Sequence, residues 1–158
     1  MVAWFYQMSH LYWPDKTRDP VEQYRRAVSP GREVLFTRFK KARARRTDDD
    51  LPQMRRGDPI IVAFVRNTKL PDGRRIEAPG VYGFGKLTAD EDLEEGEDGD
   101  VCWLPLRPTK TLARRPMPWA DIEAFLPDIR GIGRGTVFPI PPAIWKRLKA
   151  MIDKWPHR

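Results

Sequence analysis

Met54-Arg-Arg-Gly-Asp-Pro-Ile-Ile-Val-Ala-Phe-Val65 and, after a polar interval, Gly80-Val-Tyr-Gly-Phe-Gly-Lys-Leu-Thr-Ala89 decide the fold. Gly57-Asp58 is a tight-turn signal feeding an apolar run, and Gly80, Gly83 and Gly85 punctuate a second run. The pattern predicts two long strands of one sheet. Glycine inside a strand marks a bend, a bulge or a close backbone approach. A small, strongly curved β-barrel needs all three.

Working outward, Val2 to Met8 is aromatic and β-prone and predicts a first strand. Asp19-Pro20-Val21-Glu22 offers a capping residue, a proline at the first helical position and an early acid, which predict a helix to about Val28. Glu33 to Phe39 reads as a second strand running into a basic segment. The connection Asn67–Pro79 holds Pro71-Asp72-Gly73 and reads as an exposed hairpin loop. Val101 to Leu106 resumes the sheet, Pro118 to Phe125 is a short helix, Arg130 to Gly135 a turn, and Thr136 to Ile140 a last strand. From Pro142, Ile144, Trp145, Leu148, Met151, Ile152 and Trp155 recur at helical spacing, the apolar face of a helix packed on the sheet.

The 158 residues, 41% apolar, suit one domain with one core. A formal charge of +7 and a pI near 9.8 favour a polyanionic partner. Eight acids and no Lys or Arg fall in residues 90–100, so without that stretch the formal charge rises from +7 to +15. It reads as a flexible acidic loop beside a strongly basic body. Cys102 is the only cysteine, which removes intrachain disulfides and favours a reducing compartment. With neither a signal-like segment nor a membrane-length apolar run, the expectation is a cytoplasmic monomer.

Catalytic chemistry is sparse. His10 and His157 are the only histidines, no His or Cys pair has metal-ligand spacing, and no cofactor motif is present. Arg130-Gly-Ile-Gly-Arg-Gly135 lacks dinucleotide-loop spacing and leads into a strand. Aromatics next to cations are plentiful, the combination that stacks bases and clamps phosphates. Arg38, Lys40, Lys41, Arg43, Arg45 and Arg46 form an acid-free arm directly after a strand, which suits contacts with a phosphate backbone.

Several segments in order resemble the EVE domain, a PUA-like family related to the YTH and ASCH domains. Trp4-Phe-Tyr resembles the family's first strand, and Thr37-Arg38-Phe39-Lys40-Lys41-Ala42-Arg43 its Val-Arg-Asn-Tyr-x-Ala-Arg segment. Met54-Arg-Arg-Gly57-Asp58 and Val81-Tyr82-Gly83 resemble its Met-Lys-x-Gly-Asp and Ile-Tyr-Gly strands. Pro116-Met-Pro-Trp-Ala-Asp-Ile122 is similar to its helix entry, and Arg134-Gly-Thr136-Val137-Phe-Pro139-Ile140 to its Arg-Leu-Ser-Val-x-Pro-Val strand. The chain departs at Phe39, where the family has asparagine, and at Met8-Ser-His-Leu11, where it has Lys-Ser-Glu-Pro.

The resemblance implies an α+β fold, a PUA-like curved mixed β-barrel flanked by helices. It implies a noncatalytic reader of nucleic acid, RNA or DNA, that takes a base, plausibly a modified one, into an aromatic pocket. The pocket residues expected are Ser9, Trp13, Trp103, Arg134 and Thr136, with the arginine-rich arm on the backbone. An alternative is an ASCH-like hydrolase of RNA or a modified nucleoside, with Lys40 or Lys41 as base near an acid such as Asp58. A third reading is an accessory domain whose basic face docks on an acidic protein.

Overall fold

In a computed structural model of the protein the described residues are 1–8, 21, 24–25, 34–40, 54–64, 73, 78–90, 92–94, 101–112, 114–130 and 137–156. The strands are β1 (Ala3–Met8), β2 (Val34–Lys40), β3 (Pro59–Phe64), β4 (Gly80–Leu87), β5 (Asp92–Glu94), β6 (Val101–Thr111), β7 (Met117–Pro118) and β8 (Val137–Ile140). Between β7 and β8 lie α1 (Trp119–Ile122), a 3-10 turn (Glu123–Phe125) and α2 (Leu126–Arg130); α3 (Pro142–Lys154) follows β8. Val21, Tyr24 and Arg25 are helical, inside the helix expected from Asp19.

The sheet runs β2-β6-β4-β3-β1-β8, with β5 added to β6 and β7 to β4. β1 and β3 are parallel and the other pairs antiparallel. No pairing joins β2 to β8 among the described residues, which form an open path of six strands in a mixed α+β fold; closure into the curved barrel expected is not seen among them.

Alternation along the strands splits the core into two layers, as the two-residue pleat requires. Trp4 and Tyr6 join Ile60, Val62, Phe64 and Tyr24 on one face. Ala3 and Phe5 join Ile61, Ala63, Phe84 and the residues of α1 to α3 on the other. Burial on both faces explains why β3, and β1 from Ala3 to Tyr6, read as continuous apolar runs. Each large apolar side chain so buried contributes roughly 1.5–3 kcal/mol.

The glycines act as expected of strand glycines. A Cβ on Gly80 would stand 1.9 Å from the Met117 carbonyl oxygen, so only glycine lets β7 approach there. The β3–β4 register passes from Val62↔Gly83 to Ala63↔Val81, which leaves Tyr82 as a bulge. Its hydroxyl donates to the Ala78 carbonyl at 2.6 Å. Tyr24, Phe64 and Tyr82 meet edge to face with centroids 5.0 to 6.2 Å apart. Burial pushes the Tyr24 hydroxyl well above the usual tyrosine range, so it stays protonated.

Some elements differ from expectation. β6 continues to Thr111, and the helix begun at Trp119 continues through α2. Within the acidic stretch, residues 92–94 form β5, a paired strand in what was expected to be loop throughout. Among the described residues no helix is long and apolar enough to cross a membrane.

Candidate functional site

The Gly57-Asp58 turn builds one wall of a cleft. Gly57 adopts φ +89°, a left-handed conformation natural to glycine. Asp58, 5% exposed, accepts at Oδ2 from the Arg55 backbone N–H at 2.9 Å and from the buried Trp4 indole N–H at 3.0 Å. The turn is sewn to the end of β4 by Gly57 N–H to Leu87 O (2.8 Å) and Leu87 N–H to Asp58 O (2.9 Å). These bonds fix the exposed Arg56 beside β4, and its own N–H donates to Asp90 Oδ1 at 2.9 Å.

The opposite wall is set by register. Lys86 of β4 pairs directly with Arg107 of β6, and both are exposed. Arg56, Lys86 and Arg107, with Thr88 and Thr109, line an open cleft of about 610 Å³. Like charges directly opposite destabilise a sheet. Among the described residues no carboxylate forms an ion pair with any of the three cations. Three converging cations and two hydroxyls suit an anion with several acceptor oxygens, such as a phosphate.

Of the residues expected at the site, Arg38 and Lys40 lie on β2 and Trp103 on β6. Lys40 pairs with Val101, whose other neighbour is Glu94 of β5, and Trp103 pairs with Asp92. Arg107 stands farther along the same β6, about 20 Å from Val101 at strand rise. The basic strand and the cleft therefore share β6. Ser9, Trp13, Arg134, Thr136, Lys41, Arg43, Arg45 and Arg46 lie outside the described residues. Asp58, the acid of the hydrolase alternative, is engaged by Trp4 and Arg55 as a structural acceptor. Among the described residues no group of three His, Cys, Asp or Glu side chains is placed to hold a metal ion.

Sequence reading missed Arg56, Lys86 and Arg107 as a group. They stand singly in three segments, and only the β4–β6 register and the turn at Gly57 bring them together. No family model matches the chain, and no curated protein matches it significantly. The likeness to the EVE domain rests on the segments quoted above.

Proposed function

We propose that the protein binds nucleic acid without transforming it, as a PUA-like reader. The observation that carries this is the Lys86–Arg107 pair, without an ion-pair partner among the described residues, facing Arg56 across an open cleft. A phosphate there removes the cross-strand repulsion and takes charge-assisted hydrogen bonds from both walls. The net charge of +7 and the basic β2 segment with Arg38 and Lys40, on the same sheet, support it. In this reading the arm continues through Lys41, Arg43, Arg45 and Arg46 along the backbone. Ser9, Trp13, Trp103, Arg134 and Thr136 receive the selected base, whose extrusion costs a few kcal/mol that stacking offsets.

The test is titration of a labelled single strand across a range of salt concentrations. Affinity should fall linearly on a log–log plot, and the Lys86→Ala/Arg107→Ala double change should flatten the slope by about 1.4, two single-strand phosphate contacts. A slope indifferent to both residues excludes the cleft as a phosphate site.

A further inference from the structure

The cleft does not end in polar surface. On β4, Leu87 belongs to the core of one sheet face, so Lys86 stands on the other, the face of Phe84 two residues before it. α3 covers that face, burying Leu148 and Ile152. Its flank toward β4 places Trp145 on Phe84, ring centroids 5.5 Å apart and planes 37° apart, with Lys149 Nζ 5.2 Å above the same ring. Phe84 is 5% exposed, whereas Trp145 is only half-buried. A large, partly open indole thus rests on Phe84, and Lys86 of the cleft follows Phe84 by two residues on the same face of β4. The inner side of the indole packs against Phe84.

We propose that Trp145 is a base-stacking platform: a single strand crosses this face with one phosphate between Arg56, Lys86 and Arg107 and the adjoining base on the open part of the indole. This rests on the nucleic-acid reading of the cleft and adds a contact outside the expected base pocket. Stacking on a preplaced ring accepts any base, since each has a π-face, so the platform holds the strand and leaves selection to other residues. An apolar protein partner would not match three cations that have no ion-pair partner among the described residues. A single strand offers both chemistries at nucleotide spacing.

The full chain is titrated with a fluorescent strand of about ten nucleotides and with its fully abasic counterpart, which keeps the phosphates and loses the rings. Trp145→Leu should weaken binding of the first about ten-fold or more and leave the abasic strand unchanged, while Trp145→Tyr should stay within about two-fold. The slope against salt should be the same for both variants as for the natural protein. Equal affinity of Trp145→Leu for the base-bearing strand, or equal loss on both strands, overturns the platform. Should circular dichroism show Trp145→Leu unfolded, a 5-bromouracil strand photocrosslinked to the unaltered protein decides: an adduct on Trp145 supports the platform, and adducts confined to other residues overturn it. Binding that depends on Arg107 but not on Trp145 refutes the platform alone. Absence of binding to either strand refutes the nucleic-acid reading with it.

Discussion

A Cβ on Gly83 would stand 2.0 Å from the Tyr24 hydroxyl oxygen and 3.3 Å from its Cζ. That hydroxyl belongs to a tyrosine 2% exposed, so it has little room to retreat. Gly83→Ala should destabilise by about 1–3 kcal/mol, the usual range for overpacking. In a double-mutant cycle read by urea unfolding, adding Tyr24→Phe should recover part of that loss, because the clashing atom is gone; strictly additive effects would mean the backbone, not the hydroxyl, takes the strain. Glycine in the middle of an apolar run marked the close approach, but which group approached was hidden, because Tyr24 lies on a segment far away in the chain. Asp58 shows the opposite case. Its place after Gly57 announced a turn, and the same carboxylate also holds the Trp4 indole across 54 positions of sequence.

At the scale of elements, α3 was readable from its apolar spacing, but its closure was not. The Lys110 ammonium on β6 donates to the carbonyl oxygens of Ile152 (2.6 Å), Asp153 (3.3 Å) and Trp155 at the end of α3. These carbonyls lie at and just beyond the C-terminal end of the helix, where its dipole is negative and backbone acceptors are under-satisfied. Ile152 O also accepts from the Trp155 N–H at 3.2 Å. Lys110→Met, which keeps most of the aliphatic stem, should lower stability by roughly 1–3 kcal/mol, seen as a lower thermal midpoint. Hydrogen exchange should rise first in the last turn of α3; uniform protection would count against a capping role. The strands β3 and β4 were legible because turn and glycine signals agree with apolar runs. The full length of β6 was not, since Pro105 and Pro108 interrupt its pattern. Pro108 is tolerated where the β4–β6 register shifts, a place where the ladder does not require its missing N–H.

For the whole molecule the controlling quantity is where charge of each sign sits. The chain carries +7 with eight acids gathered in residues 90–100, and Asp90 touches the backbone of a cleft residue while β5 pairs with β6. Converting Glu91, Asp92, Glu94, Glu95, Glu97, Asp98 and Asp100 to their amides, with Asp90 kept, raises the formal charge to +14. At low salt this should strengthen single-strand binding several-fold, chiefly through faster association, and the gain should vanish near 1 M salt, where the screening length is about 3 Å. A gain that persists there would require a different cause. Contiguous charge was legible, as in Arg38 to Arg46. The cleft was not, because three isolated cations become one site only after β4 and β6 align and the Gly57 turn folds back on Leu87. The same wide spacing governs how the chain assembles itself. β1 has β3 on one side and β8 on the other, with Ala3 opposite Ile140. During synthesis β1 therefore keeps one bare edge until residues 137–140 have emerged. Until then it offers an apolar, hydrogen-bond-hungry border to any neighbouring chain. Closing late in this way makes the fold slow to commit and leaves the nascent protein dependent on whatever shelters that border meanwhile.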